Sequence, residues 1–221
     1  MPESRKPAVF IDFDNTITRG DVLDRVIERF SPDDAWRQWE AEWQAGTMDT
    51  PECLRRQMAG VRATREELFA FLADVELDEG FAPLVRWSQA NEVPLCILTD
   101  NFGPLVGEIL RAQEVPLVPV FANELLFGPS GLEARFPFRD PHCARCAHCK
   151  AQHLRVDIGR ERVFVGDGLS DICAALIADT VFAKDSLARH LAERRIAYRP
   201  FEGLEDVTRY LKERTAAALL A

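Results

Sequence analysis

The chain has 221 residues, 47 % hydrophobic and 29 % charged, and it carries a formal net charge of −9. This composition is typical of a soluble globular protein and excludes a disordered chain. An acidic chain should repel a phosphate backbone or an anionic membrane, so neither nucleic acid nor a membrane is expected as a partner. No apolar run approaches the ~20 residues needed to cross a bilayer, and no signal peptide is evident, which predicts a cytoplasmic protein.

Short apolar segments alternate with longer helical patterns along most of the chain. This alternation predicts an α/β fold with a mostly parallel sheet covered by helices. The predicted strands are Ala8–Asp12, Val93–Thr99, Leu117–Phe121, Arg162–Val165 and Thr180–Ala183. The predicted helices are Phe102–Gln113, Lys150–Ile158, Asp171–Ala178, Ser186–Arg194 and Leu204–Leu219.

Residues 21–78 show a different pattern, with helix after helix and no convincing strand. We therefore predict a small all-helical domain over 21–78, inserted into a core domain made of 1–20 and 79–221. Trp36, Trp39 and Trp43 fall on one helix face, which favours a packing stripe over a ligand-stacking platform. After this insertion, Glu124–Phe138 is predicted to be a β-hairpin, because Gly-Pro-Ser-Gly lies at its centre.

Two carboxylates, Asp12 and Asp14, end the first predicted strand. Residues two apart in an extended chain point to one side, so both carboxylates can converge at the carboxyl end of this strand. Open α/β sheets place their ligands at that end. Two anions this close are costly unless a cation or a proton separates them, which suggests a divalent metal. The alternative is a turn in which both aspartates only cap backbone amides.

A second acidic pair, Asp167 and Asp171, follows the strand Arg162–Val165. Asp171 could also be a residue at a helix start, stabilised by the helix dipole. Together with Asp12 and Asp14, these residues form a predicted cluster of four carboxylates, a set of hard oxygen ligands that suits Mg²⁺. Two further polar residues complete the candidate site. Thr99 ends the second predicted strand, and Lys150 begins a predicted helix.

This order of motifs resembles the haloacid dehalogenase superfamily of phosphotransferases, over nearly the whole chain. The resemblance implies a Rossmann-like sheet sandwiched by helices, with the helical insertion as a cap. It also implies a phosphatase in which Asp12 attacks phosphorus and Asp14 acts as general acid and then as base. Thr99 and Lys150 would hold the phosphoryl oxygens. The Mg²⁺ ligands would be Asp12, Asp167 and the backbone carbonyl of Asp14, with Asp171 supporting them.

The insertion is similar to the cap of the phosphoserine phosphatase branch of this superfamily. That resemblance places Gln57, beside Arg56, where the branch has an arginine for the substrate carboxylate. Asp21 falls where the branch has an acid facing the substrate amine, and we also count Asp100, beside Thr99, among the substrate-binding candidates. The partner implied is a small phosphomonoester, for a protein that is a monomer or a homodimer.

A run of cysteines and histidines precedes Lys150. Such a run resembles the lead-in to the lysine in methionine-salvage phosphatases, which dephosphorylate 2-hydroxy-3-keto-5-methylthiopentenyl-1-phosphate, and a comparable run occurs in the phosphoethanolamine/phosphocholine phosphatase group. Its soft ligands also suggest a structural Zn²⁺ site, with free thiols or a redox-sensitive pair as alternatives. A non-catalytic zinc-binding interaction protein on the same fold is therefore a second hypothesis. The candidate zinc ligands are His142, Cys143, Cys146 and Cys149.

Overall fold

The computed structural model describes residues 5–129, 131–143, 146–157 and 159–219, and the side chains up to residue 216. Within these ranges, seven strands form one sheet in the order β4-β3-β2-β1-β5-β6-β7. The strands are β1 Pro7–Ile11, β2 Leu95–Phe102, β3 Val120–Gly128, β4 Gly131–Arg135, β5 Glu161–Gly166, β6 Thr180–Ala183 and β7 Arg199–Pro200. Only the β3–β4 pair is antiparallel. The predicted α/β fold with a mostly parallel sheet is confirmed.

Strand β1 lies in the middle of the sheet, and all five of its residues are buried. A strand covered by helices on both faces is expected to read as a continuous apolar run, as Pro7–Ile11 does. It pairs in parallel with β2 on one side and with β5 on the other. The carboxyl ends of these three strands therefore lie side by side.

Five helices lie between β1 and β2: α1 Val22–Phe30, α2 Ala35–Gln44, α3 Thr50–Gly60, α4 Arg65–Leu72 and α5 Phe81–Ala90. The starts of α1 and α3 are capped by Asp21 and Asp49, whose side chains each accept a backbone N–H. Thr64 and Glu67 form a reciprocal capping box at the start of α4. Such caps satisfy backbone donors that have no partner within the helix. The first four helices occupy the predicted insertion, whose definition as a separate domain over 21–78 stays a prediction.

The tryptophans of α2 divide between the interior and the surface. Trp36 is buried, and Trp39 packs against the main hydrophobic cluster. Trp43 is 42 % exposed, and its indole N–H donates to Thr50 Oγ1 at 2.9 Å. The packing interpretation therefore holds for Trp36 and Trp39, whereas Trp43 lies at the end of the stripe.

The remaining helices are α6 Gly103–Ala112, α7 Lys150–Val156, α8 Ile172–Ala175, α9 Asp185–Glu193 and α10 Leu204–Leu219, and a 3₁₀ helix, Leu169–Asp171, precedes α8. Strands β3 and β4 form the predicted hairpin, paired from Glu124–Arg135 to Gly128–Gly131. The predicted helix Asp171–Ala178 is shorter than expected, and the predicted end of α7 at Ile158 lies outside the described residues. Among the helices described, none is long and apolar enough to cross a membrane.

Candidate active site

The sheet brings three of the predicted site residues to one edge. Ile11 of β1 pairs with Ile97 of β2 and with Val165 of β5. Asp12 follows Ile11 directly, and its backbone N–H donates to the Val165 carbonyl at 2.9 Å. Thr99 lies two residues after Ile97, and Asp167 lies two residues after Val165. All three are buried, so the polar groups lie in a recess at the carboxyl end of the sheet.

Lys150, the first residue of α7, is buried between two carboxylates. Its Nζ donates to Oδ1 of Asp12 and to Oδ1 of Asp171, the second contact measuring 2.6 Å. Burying an ammonium group is costly unless opposite charges and hydrogen bonds compensate it. The two carboxylates provide that compensation, and they fix the position of the lysine side chain.

The carboxylate of Asp171 uses both oxygens within the protein. Oδ1 accepts from Lys150, and Oδ2 accepts the backbone N–H groups of Asp167 and Gly168, each at 3.0 Å. A Cβ at Gly166 would collide with this carboxylate, so glycine is required there. Asp171 thus holds the loop after β5 and orients Lys150.

An acidic cluster remains open to a cation. Carboxylate oxygens of Asp12, Asp167 and Asp171 lie within 4.8 Å of one another. The hydroxyl of Thr16 donates to Oδ1 of Asp167 at 3.1 Å, which orients that side chain. Because the oxygens of Asp171 are already engaged, Asp12 and Asp167 are the carboxylates best able to ligate a metal. Hard, closely spaced oxygens of this kind are compatible with Mg²⁺.

Asp14 lies on a different side of the recess, where two elements hold its carboxylate. Its Oδ1 accepts the backbone N–H of Val22, at the start of α1, at 2.9 Å. The Asn101 amide donates to both carboxylate oxygens, at 3.2 Å to Oδ1 and 3.0 Å to Oδ2. Asn101 is absent from the residues predicted from the sequence, although a polar residue two positions after Thr99 on an extended strand shares the face of Thr99.

Thr99 and Asp100 make different contacts. Oγ1 of Thr99 accepts the backbone N–H of Asn101 at 2.9 Å, so the hydroxyl hydrogen stays available for another acceptor. The carboxylate of Asp100 accepts the backbone N–H of His148 at 2.6 Å. Asp100 therefore anchors the segment that leads into Lys150, and its role in binding substrate stays a prediction.

Burial raises the pKa values of Asp12, Asp14 and Asp167. Burial, together with the neighbouring Asp171, raises the pKa of Asp12 well above its ordinary value, while Lys150 opposes this shift. Burial and the charge of Asp21 raise the pKa of Asp14 to about 8, and burial and Asp171 raise that of Asp167 to about 6. Burial alone would lower the pKa of Lys150, but Asp12 and Asp171 outweigh it and raise that pKa. The site therefore favours a charged lysine and a proton or cation among its carboxylates.

The cap candidates differ in their surroundings. Asp21 accepts the backbone N–H of Asp24 at 3.0 Å as the N-cap of α1. Arg56 is exposed and pairs with Glu52 at 2.8 Å. Gln57 is only 5 % exposed. Within the described ranges of the chain, the Gln57 side-chain amide makes no hydrogen bond. Its contact with a substrate stays a prediction.

The candidate zinc ligands do not form a metal site. His142 is exposed, whereas Cys149 is buried at the N-terminal end of α7. The thiol of Cys146 is buried and donates to the Ser170 carbonyl at 3.9 Å. Zinc needs four ligand atoms around one point. In the part of the chain that the structure describes, only the acidic cluster brings three or more potential ligand atoms close enough together to hold one metal ion. The zinc prediction is not supported.

Comparisons with known proteins identify the family and the relatives of this chain. A sequence model of the haloacid dehalogenase-like hydrolase family matches residues 9–176. The 2-hydroxy-3-keto-5-methylthiopentenyl-1-phosphate phosphatase of Bacillus cereus (strain B4264) is 28 % identical over 215 residues, covering 92 % of this chain and 95 % of that protein. The corresponding protein of strain G9842 is 29 % identical with the same coverage.

Solved structures of phosphoserine phosphatase share the fold. A phospho-aspartyl intermediate analogue of that enzyme has a TM-score of 0.68 at 15 % identity, covering 94 % of this chain and 99 % of the other. The phosphoserine phosphatase of T. onnurineus has a TM-score of 0.67 at 14 % identity, covering 96 % and 97 %. The match of the family over residues 9–176 and the strand-end motifs identify the chain as a phosphatase that belongs to the haloacid dehalogenase-like hydrolase family.

Proposed function

We propose that this phosphatase hydrolyses a small phosphorylated metabolite in a Mg²⁺-dependent reaction, with Asp12 as the nucleophile and 2-hydroxy-3-keto-5-methylthiopentenyl-1-phosphate as the substrate. The observation that carries the mechanism is the position of the Asp12 carboxylate, which lies at the end of the central strand, contacts Lys150 and neighbours Asp167. The substrate assignment is carried by relatives that match along almost the whole chain.

In the first step, an Asp12 carboxylate oxygen forms a bond to phosphorus, and the bond from phosphorus to the leaving oxygen breaks. Lys150 and the hydroxyl of Thr99 hold phosphoryl oxygens and balance their negative charge. Lys150 is suited to this role because Asp12 and Asp171 already fix its ammonium group. Mg²⁺, held by Asp12, Asp167 and the Asp14 carbonyl, would supply charge neutralisation between the carboxylate and the anionic substrate.

Asp14 donates a proton in the first step and accepts one in the second. Its Oδ1 accepts N–H groups of both Val22 and Asn101, whereas Oδ2 accepts only from Asn101 among the described residues. A proton on this carboxyl therefore resides on Oδ2, which keeps a lone pair for Asn101. That proton passes to the leaving oxygen as its bond to phosphorus breaks. In the second step, Oδ2 takes a proton from water while the water oxygen attacks phosphorus, which releases Asp12 and inorganic phosphate. A pKa of Asp14 raised to about 8 by burial and by Asp21 favours a protonated carboxyl at the start of the cycle.

The cap supports a substrate without a carboxylate. The resemblance to the phosphoserine phosphatase branch aligns Gln57 with an arginine of that branch, and a neutral amide lacks the charged fork that binds carboxylates. The adjacent Arg55 and Arg56 are exposed and paired with Glu52. An enol phosphate of the methionine-salvage type needs no such partner. Phosphoserine, phosphocholine and phosphoethanolamine are the competing substrates.

The test is a comparison of kcat/KM for these four phosphomonoesters and p-nitrophenyl phosphate, with Mg²⁺ and after removal of metal by a chelator. We expect the methylthiopentenyl phosphate to give the highest value, and chelation to abolish all turnover until Mg²⁺ is restored. A preference for phosphoserine that is lost in Arg56→Ala would assign the carboxylate clamp to Arg56 and refute the substrate proposal. No hydrolysis of any of these compounds would refute the proposed class of substrate.

A further inference from the structure

Asn101 has a fixed orientation at the end of β2. The residue has no exposed surface, and both ends of its side-chain amide are engaged. Oδ1 accepts the backbone N–H of Phe102 at 2.6 Å, so the Nδ2 end must face the other way. Nδ2 then donates to the two carboxylate oxygens of Asp14, at 3.2 and 3.0 Å. Turning the amide over would place a donor against the Phe102 N–H and an acceptor against the Asp14 carboxylate.

The contacts of Asp14 divide its two oxygens into different roles. Oδ1 receives the backbone N–H of Val22 as well as Asn101, whereas Oδ2 contacts Asn101 alone among the residues that the structure describes. Without Asn101, the carboxyl would keep one backbone hydrogen bond and could rotate about it. With Asn101 in place, Oδ1 and Oδ2 cannot exchange without breaking two contacts.

Asn101 also connects Asp14 to the phosphate-binding hydroxyl. Its backbone N–H donates to Oγ1 of Thr99 at 2.9 Å, which fixes Oγ1 as an acceptor and directs the hydroxyl hydrogen elsewhere. One buried residue therefore orients the proton donor through its side chain and the phosphoryl-binding group through its backbone. Only the first of these contacts depends on the identity of the side chain.

We propose that Asn101 is a positioning residue for proton transfer, which holds Oδ2 of Asp14 in place to protonate the leaving oxygen and later to accept a proton from water. This proposal rests on the proposed function. A leaving group that departs as a stable anion, such as p-nitrophenolate, needs little protonation, whereas an alkoxide needs it strongly. Loss of Asn101 should therefore harm alkyl phosphates more than p-nitrophenyl phosphate.

The experiment measures kcat/KM of Asn101→Ala with an alkyl phosphate and with p-nitrophenyl phosphate. General acid catalysis contributes ~10²–10⁴-fold, so misplacing the acid should cost the alkyl substrate roughly 10-fold or more beyond the loss seen with p-nitrophenyl phosphate. Asn123→Ala is the matched control. Asn123 is an equally buried asparagine on the neighbouring strand, and its Nδ2 donates to the Asp100 carbonyl at 2.7 Å without touching Asp14. An equal loss with both substrates, or the same selective loss in Asn123→Ala, would overturn the proposal.

A second measurement separates positioning from general damage. In an Asp14→Asn background, Asn101→Ala should cause no further selective loss, because the group on which it acts is gone. A further selective loss in that background would overturn the proposal. If Asn101→Ala does not fold, Asn101→Ser is judged by the same criteria. Retained activity in Asp12→Asn would instead refute the proposed function, so the two failures are distinguishable.

Discussion

The ammonium of Lys150 lies 2.6 Å from Oδ1 of Asp171 in the protein interior, and the same ammonium contacts Asp12. Removing one partner of a buried ion pair leaves an uncompensated charge, which typically costs about 3–5 kcal/mol. Removal of Lys150 would leave the carboxylates of Asp12 and Asp171 without this partner, at the place where a phosphoryl group is proposed to bind. The ion pair therefore contributes both to the stability of the fold and to the charge balance of the proposed phosphoryl site.

Lys150→Met should lower the free energy of unfolding at neutral pH by about 3–5 kcal/mol and abolish turnover. Urea unfolding measures the first effect, with the exposed Lys212→Met as a control that should stay close to the wild-type value. Adding Asp12→Asn to Lys150→Met should restore part of the loss, because one of the two unpaired carboxylates is removed. Unchanged stability in Lys150→Met would contradict the buried pair.

Asp12→Asn should abolish turnover while the fold persists. An amide is a poor nucleophile, so we expect kcat to fall on the order of 10⁴-fold or more. The melting temperature without metal should stay close to that of the wild type, because weaker repulsion from Asp167 and Asp171 offsets the lost Asp12–Lys150 contact while Asp171 still pairs with Lys150. The exposed Asp74→Asn is a matched control for the substitution. Normal hydrolysis by Asp12→Asn would end the covalent mechanism.

Asp14→Asn should have a different effect, because the nucleophile and the backbone carbonyl remain. Substrates with good leaving groups should still transfer their phosphoryl group to Asp12, and slow attack by water should let the phosphoenzyme accumulate. Rapid-quench mass spectrometry would detect the added phosphoryl group on the peptide that contains Asp12. Full steady-state activity without an adduct would remove Asp14 from its assigned role.

The sequence patterns predicted which segments form strands better than they predicted where each strand starts and ends. The strand predicted over Ala8–Asp12 is found at Pro7–Ile11, one residue earlier, because a strand buried on both faces is apolar at every position, whatever its partners. The prediction of a strand over Leu117–Phe121 was wrong at its start, since β3 begins at Val120. Pro119 has no N–H for a strand ladder, and Leu117 is 92 % exposed. A proline inside an apolar run was the signal available in the sequence.

The partners within the site could not be read from spacing alone. Asp14 and Asn101 are 87 residues apart, and their contact exists because β1 and β2 are neighbours in the sheet. The motif order suggested which residues meet, but the orientation of each side chain depends on donors that only the fold supplies. Asp100 is an example, since its carboxylate accepts the backbone N–H of His148.

Glu161 is a buried carboxylate outside the recess, and its hydrogen bonds connect the C-terminal helix α10 to the sheet. Glu161 at the start of β5 is 5 % exposed and accepts hydrogen bonds from Arg214 and Tyr210 of α10 and from Thr180. Burial alone would raise the pKa of Glu161, but hydrogen bonds from Tyr210, Arg214 and Thr180 outweigh it and lower the pKa. Such a depressed pKa stabilises the folded state above the pKa of the unfolded chain, and this contribution disappears as pH falls through the folded value.

Glu161→Gln should therefore lower the free energy of unfolding by about 1–3 kcal/mol at pH 7, the usual range for hydrogen bonds to a charged group. The difference from wild type should shrink as pH falls below about 4, near the pKa of an unfolded glutamate, because both proteins then carry a neutral side chain there. Urea unfolding at a series of pH values measures this. Glu133→Gln is the matched control, since Glu133 and its partner Arg135 are both exposed and their pair should contribute only about 0–1 kcal/mol. A difference between wild type and Glu161→Gln that stays constant from pH 7 to pH 3 would show that packing at this position, rather than its charge, holds α10 against the sheet.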